Sequence, residues 1–301
     1  MTHLALVGPT ASGKSSVALE LARRLGDVEL VSVDSMQVYR GMDIGTAKPT
    51  RAEQAEVPHQ LLDLADPSED FSVARFQAAA HEALRDIESR GRRALLVGGT
   101  GLYVQAVVDG LNVPGAWPEL RRELETEAST EDGLRRLYVR LREADPDAAV
   151  RIGAANARRV VRAMEVVLGS GRPFSSFGPG IDAYPPTRFR LAGLWLPRSI
   201  VALRIEARYR AQLDAGFLDE VRALPATLSR TARQALGYRE LLDHLAGGTT
   251  LEGALDVAVG RTREFARRQR MWFRRDPRIV WFGASTNPVA VVPALLEHWA
   301  A

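Results

Sequence analysis

The chain of 301 residues contains no cysteine, which excludes disulfides, thiolate metal sites and cysteine nucleophiles. No apolar run approaches the roughly 18 residues that a membrane span requires. The start, Thr2-His3-Leu4-Ala5-Leu6-Val7, runs straight into a glycine motif, without the basic opening and longer apolar stretch of a signal peptide. A cytoplasmic protein without membrane attachment is expected. Lysine is nearly absent too: 38 of the 40 basic residues are arginine, and only Lys14 and Lys48 are lysine. Lysine is a compact point charge on a thin stem, arginine a wide planar fork. A narrow phosphate cradle would take only the former, and Lys14 sits in such a motif; Lys48 has no comparable context.

What is present reads as an ordinary globular protein. Hydrophobic residues make up 46% and charged residues 26%, enough at this length to bury a core without covalent staples. The net charge of +3 is uneven. Residues 1–110 hold 11 basic and 15 acidic residues (net −4), and residues 111–301 hold 29 and 22 (net +7). A basic second half joined to an acidic first half points to a polyanionic partner for the former.

Leu4–Val7, Glu29–Val33 and Arg93–Val97 are short apolar runs predicted to be buried strands. Apolar spacing predicts helices over Ser15–Leu25 and Phe71–Arg90, the second capped by Ser68 or Asp70. Ser35 to about Pro67 reads as irregular. Repeated strand–loop–helix units imply a parallel sheet with right-handed crossovers and ligands at the carboxyl ends of its strands. Gly8–Ser15, Asp34 and Gly98–Gly101 all fall at such ends. Residues 112–187 change character to Arg-rich helices, Pro118–Glu127, Glu131–Ala144 and Asn156–Leu168, and are expected to form a helical insertion. Phe189–Leu196 returns as a strand. Helices over Ser199–Ala223 and Leu251–Arg275, a strand at Ile279–Phe282 and a closing helix at Pro288–Trp299 complete the reading. The expected fold is α/β: a P-loop NTPase-like parallel sheet flanked by helices, built from residues 1–111 and 188–301, with the all-helical insertion between them.

Gly8-Pro9-Thr10-Ala11-Ser12-Gly13-Lys14-Ser15 matches the phosphate-binding loop in full, between a strand and a helix. Its backbone N–H groups and the helix N-terminus cradle phosphate oxygens. Lys14 neutralises an oxygen, and the Ser15 hydroxyl completes a Mg²⁺ shell. The loop does not say which phosphate ester it holds. The third strand ends in Gly98-Gly99-Thr100 with no acid, so the one acid after an apolar strand is Asp34. It reads as a metal carboxylate, as a general base facing an acceptor, or as a cap of the Asp-Ser turn.

Gly8–Ser15, the block Asp34-Ser35-Met36-Gln37-Val38-Tyr39-Arg40-Gly41-Met42-Asp43-Ile44-Gly45-Thr46-Ala47-Lys48-Pro49, and Val97-Gly98-Gly99-Thr100-Gly101-Leu102-Tyr103 together resemble the bacterial tRNA dimethylallyltransferase (isopentenyltransferase) family. The likeness continues in order through Arg158–Val166, Arg204–Glu206, Gly216–Val221, Ala235–Glu240 and Arg267–Arg274. Ser15 stands where threonine is frequent in the family, which keeps the hydroxyl. The resemblance implies transfer of a dimethylallyl group from dimethylallyl diphosphate to N6 of the adenosine on the 3′ side of a tRNA anticodon, with Mg²⁺ as cofactor. The loop would then hold a leaving diphosphate. It implies Asp34 as base, Lys14 and Thr100 beside the reacting groups, and Arg204 or Arg208 as a further diphosphate clamp. For tRNA contact it implies Asp34, Ser35, Met36, Gln37, Thr100, Arg121, Arg158, Arg159, Val160, Val161, Arg162, Gln234, Ala235, Leu236, Gly237, Tyr238 and Arg239. Gln37 is a candidate for the adenine edge, and the base would have to be flipped from its loop. The Arg267–Arg275 segment, with Trp272 and Phe273 interleaved, offers either phosphate contacts with base stacking or an aromatic face packed in the core. A monomer is expected. The alternatives are a small-molecule P-loop kinase and a prenyltransferase of free adenine nucleotides.

Overall fold

The structure is a computed structural model and describes residues 1–300. The strands are β1 (His3–Val7), β2 (Val28–Val33), β3 (His59–Gln60), β4 (Arg93–Gly98), β5 (Phe189–Trp195) and β6 (Val280–Gly283), of which β1, β2, β4 and β5 are largely buried apolar segments and β3 and β6 are more open. They form one parallel sheet in the order β3-β2-β4-β1-β5-β6. β1 and β2 are fully buried, as continuous apolar runs covered on both faces should be. β4 lies between β1 and β2, and β5 lies on the other side of β1, so the strand order changes direction at β1. Val7 is in register with Gly98 and Gly193, and Gly98 with Val33. The loops after β1, β2 and β4 therefore leave the sheet at one level, through Gly8, Asp34 and Gly99.

The core unit comprises residues 1–109 and 184–301, and a second compact unit comprises 110–183; the expected limits lay at 111/112 and 187/188. Helices α1 (Lys14–Leu25), α2 (Arg51–Glu56), α3 (Val73–Ser89) and α4 (Gly101–Val108) connect the first strands. α1 buries Val17, Ala18, Leu21 and Ala22 and stops at Gly26 in the left-handed region. α3 buries Phe76, Ala80, Leu84 and Ile87. Its cap is Ser72, whose hydroxyl accepts the Arg75 N–H, and neither Ser68 nor Asp70. Ser68 is held one turn upstream, its N–H and hydroxyl both donating to Asp66. The segment expected to be irregular holds α2, started by a capping box between Thr50 and Glu53, and β3, which pairs with β2.

The second unit holds α5 (Pro118–Glu127), α6 (Glu131–Ala144), α7 (Pro146–Ile152) and α8 (Ala157–Ser170). Its own core includes Leu124, Leu137, Leu141, Val160, Val161 and Met164. α7 was not expected; Asp145 starts it by accepting the Ala148 N–H, and also accepts from Ser175 N–H. Back in the core unit, the single helix expected over 199–223 is two, α9 (Arg198–Asp214) and α10 (Phe217–Arg222). Gly216, at φ 95°, breaks them. α11 (Arg230–Arg233), α12 (Tyr238–Leu245), α13 (Leu251–Phe273) and α14 (Val292–Ala300) complete the unit. Among the described residues no helix is long and apolar enough to cross a membrane.

Candidate active site

The loop from β1 to α1 has the shape its glycines allow. Gly8 and Gly13 have φ of 153° and 87°. A Cβ on Gly8 would stand 2.8 Å from the Leu194 carbonyl, and one on Gly13 would stand 2.3 Å from the Pro288 ring. Gly13 occupies the N-cap of α1 with no side-chain cap, and the first turn carries no acid. The helix N-terminus thus remains open to an anion. Lys14 curls back so that Nζ donates to the Pro9 carbonyl at 2.7 Å. Burial pulls the Lys14 pKa down to about 8, opposed by Asp34 and assisted by Arg208. Two buried polar atoms here have no partner, Ser12 Oγ and Arg208 Nε. Orphaned donors beside a lysine mark a place built for a polyanion.

Both candidate clamps reach this loop from α9, one turn apart. Arg204 Nε donates to the Ala11 carbonyl at 2.9 Å, and Arg208 donates to Thr10 Oγ1 at 2.9 Å. Burial lowers the Arg208 pKa below its ordinary value, a cost that an anion would repay. Gln269, on α13, was not singled out by the sequence. Its Oε1 accepts the Thr10 N–H at 2.8 Å and its Nε2 donates to the Gly99 carbonyl at 2.7 Å. One buried amide therefore ties the phosphate loop to the turn after β4.

Asp34 follows β2. Its Oδ1 accepts the Met36 N–H at 2.8 Å, and no hydrogen bond to its Oδ2 occurs among the described residues. Thr100 Oγ1 accepts the Ser35 N–H at 3.3 Å, which joins the turns after β2 and β4. Lys14, Ser15, Asp34, Arg204, Arg208 and Gln269 line one cavity of about 370 Å³, and Thr100, Ser35 and Met36 do not line it. Gln37 also lines it, but its amide is spent inside the protein. Its Oε1 accepts from Ser32 Oγ, and its Nε2 donates to the Thr46 and Ala47 carbonyls. Reading an adenine edge with that amide would require exchanging these bonds.

The Asp43–Pro49 loop forms a wall here, with Thr46, Ala47 and Pro49 facing the cavity. Glu220 of α10 accepts the N–H groups of Asp43, Ile44 and Gly45 as well as the Tyr238 hydroxyl. Gln212 donates to the Ile44 and Gly45 carbonyls. Gly45 has no room for a Cβ, which would meet the Phe217 ring at 2.2 Å. Lys48, for which the sequence offered no context, has a buried side chain donating to the Tyr39 carbonyl, Asp43 and Asp63. Its work is to hold this loop.

The residues expected to contact tRNA divide by exposure. Arg158, Arg159, Gln234 and Arg239 are exposed; Arg121 and Leu236 are half-buried. Val160 and Val161 lie in the core of the helical unit, and Ala235 and Tyr238 in the main core. Gly237 is buried as well. Packing thus covers the side chains of Val160, Val161, Ala235 and Tyr238, and Gly237 has none to offer. Arg162 is also committed, to the Pro114 and Gly115 carbonyls and to Glu165. Phe273 is buried. Trp272 lies against Gly101, where a Cβ would meet its ring at 2.3 Å, and Arg275 stands over it at 4.4 Å. Core packing therefore accounts for this aromatic pair.

The family described as IPP transferase matches residues 37–276, and that described as isopentenyl transferase matches residues 1–66. The tRNA dimethylallyltransferase of Roseiflexus castenholzii is 49% identical over 92% of this chain and 91% of its own length. The chain belongs to the tRNA dimethylallyltransferase family. The like-named protein of Geobacter metallireducens is 47% identical over 93% of this chain and 92% of its own. The tRNA isopentenylpyrophosphate transferase of Bacillus halodurans has the same fold, with a TM-score of 0.71 at 39% identity, covering 99% of this chain and 95% of its own. A eukaryotic dimethylallyltransferase acting on tRNA gives a TM-score of 0.80 at 24% identity, covering 99% of this chain and 77% of its own, a likeness of fold. Members of this family are transferases.

Proposed function

We propose that the protein transfers the dimethylallyl group of dimethylallyl diphosphate to N6 of the adenosine 3′-adjacent to the anticodon of a tRNA, acting as a cytoplasmic monomer. The observation that carries this reading is that one cavity joins a cationic cradle, Lys14 with Arg204 and Arg208, to a single carboxylate, Asp34. The bond between C1 of the allyl group and the diphosphate oxygen breaks, and its electron pair leaves on the diphosphate. The allylic cation is stabilised by resonance, so the barrier falls chiefly by stabilising the departing charge. Loop N–H groups, Lys14, Arg204 and Arg208 are suited to that. A bond forms between C1 and N6, whose lone pair is delocalised and weakly nucleophilic. Asp34, with Oδ1 fixed by Met36, takes the N6 proton on Oδ2 as the bond forms.

Among the described residues no cluster of three or more acids or histidines is arranged to hold a metal. Mg²⁺ keeps waters and binds through substrate phosphates with one or two protein oxygens. The exposed Ser15 hydroxyl at the mouth of the loop would be such an oxygen. When bound, Mg²⁺ supplies further neutralisation of the diphosphate.

The test is mass spectrometry of tRNA after incubation with dimethylallyl diphosphate and Mg²⁺. A five-carbon addition at the adenosine beside the anticodon is expected, with AMP failing to compete. Addition to AMP alone, or phosphate release from ATP with no use of dimethylallyl diphosphate, would overturn the reading.

A further inference from the structure

A second cavity, of about 250 Å³, shares no lining residue with the first. The two flank the phosphate loop: Pro9 lines this one and Thr10 the other. α9 and α13 contribute different faces to each. Arg204, Arg208 and Gln269 line the reaction cavity, whereas Val201, Ile205 and Ala266 line this one. Leu196 and the indoles of Trp195 and Trp281 complete its apolar wall.

The polar side chains that line it are all arginines: Arg198, Arg263, Arg267 and Arg270. Arg263 is paired with Glu206. For Arg198, Arg267 and Arg270 no carboxylate partner occurs among the described residues. Arg270 stands over the Trp195 ring at 5.4 Å, and its Nε is buried without a hydrogen-bond partner. Burial, then Arg198 and Arg274, weaken its hold on its proton. Arg198 opens the 17-residue α9, whose N-terminus has no side-chain cap and no acid in its first turn. Cations gathered this way repel one another, and the buried Arg270 Nε stays unmet, which an anion among them would relieve.

The apolar part restricts the ligand further. The wall has no serine, threonine, asparagine, glutamine or carboxylate. A nucleobase or sugar placed there would find no side-chain acceptor for its N–H or O–H donors. A hydrocarbon needs none. We infer that this cavity is a binding site for an amphipathic anion, a hydrocarbon body carrying a phosphate head, with the body against Trp195, Trp281 and Leu196 and the head on Arg198, Arg267 and Arg270. The inference does not depend on the reaction proposed above, because the two cavities are separate.

Calorimetric titration with geranyl phosphate tests it, with geraniol and inorganic phosphate as the body and the head alone. Lys14→Ala disables the phosphate loop as a competing site. Geranyl phosphate is expected to bind wild type and Lys14→Ala with affinities within about twofold, and geraniol and phosphate each at least about tenfold more weakly. Arg270→Ala, which removes the orphaned cation, and Ala202→Leu, which fills the cavity from α9, are each expected to weaken it at least about tenfold. Either variant suffices should the other fail to fold. Binding abolished by Lys14→Ala and unchanged by Arg270→Ala and Ala202→Leu would assign the ligand to the phosphate loop and overturn the proposal. Absence of binding to wild type at millimolar concentration, or geraniol binding as tightly as geranyl phosphate, would overturn it too.

Discussion

Lys14 is a cation in a place that does not favour cations. Burial pulls its pKa to about 8, Asp34 opposes this and Arg208 reinforces it. Below pH 8 the free site carries the charge a diphosphate needs; above it the amine is neutral, and binding must first take up a proton. Affinity for inorganic diphosphate is therefore expected to fall from pH 7 to pH 9.5, by up to about tenfold per pH unit. Calorimetry in buffers of different ionisation enthalpy should register proton uptake in that window. An affinity flat across it would show that Lys14 stays charged. Lys14→Arg is not a rescue, because the planar fork does not fit the turn that seats Nζ on Pro9. Asp34 gives a cleaner split. Asp34→Asn keeps the oxygen that accepts from Met36 but loses the base. It is expected to lower kcat by about 10²–10⁴, with RNA affinity unchanged in a filter-binding measurement; wild-type turnover would remove Asp34 from the mechanism.

At the scale of elements, the site is held together by groups that touch no substrate. Gln269 fixes the phosphate loop to the turn after β4, so Gln269→Ala leaves a Thr10 N–H and a Gly99 carbonyl unpaired. A cost of about 1–3 kcal/mol for such groups is expected to appear as a fall of roughly ten- to a hundredfold in kcat/KM for dimethylallyl diphosphate. Gln269→Glu restores the acceptor but not the donor and should recover part of it. Glu220 does the same for the Asp43–Pro49 wall. Glu220→Ala removes a carboxylate that meets three backbone N–H groups and a buried phenol, and is expected to lower unfolding stability by about 2–3 kcal/mol in urea titration. These residues explain what the sequence could and could not convey. The phosphate loop, Asp34 and Gly98–Gly101 were legible because strand, glycine and turn follow one another locally. Gln269 and Glu220 lie about 170 or more positions from the backbone groups they bind, and no periodicity announces a pairing across that separation. α2 and α7 were missed for a smaller reason: each is under eight residues, too short for an apolar stripe to repeat, although the Thr50–Glu53 box gave a local sign of the first.

For the whole molecule, charge sets where a polyanion would be held. The basic excess of the second half of the chain does not reside in the helical unit. Residues 110–183 carry 11 arginines against 11 acids and are neutral, while residues 184–301 carry 18 against 11 and hold all of the +7. Arg267 and Arg274 on or beside α13 are exposed, with no carboxylate partner among the described residues, whereas Arg162 of the helical unit is committed internally. Long-range attraction for RNA should then come from the α13 region, and contacts of the helical unit should add position more than field. Each phosphate contact removed lowers the slope of log affinity against log salt by roughly 0.7–0.9. Removing Arg267 and Arg274 together is accordingly expected to flatten the salt dependence of anticodon stem-loop binding by about 1.5, and removing the exposed pair Arg158 and Arg159 by no more than that. Measurement of both slopes between 50 and 300 mM salt, a range chosen so that screening lengths stay near roughly 6–14 Å, decides the matter. A larger loss of slope from Arg158 and Arg159 would place the electrostatic grip on the helical unit, and the neutrality of that unit would then be offset by a local arrangement of its arginines rather than by its sum.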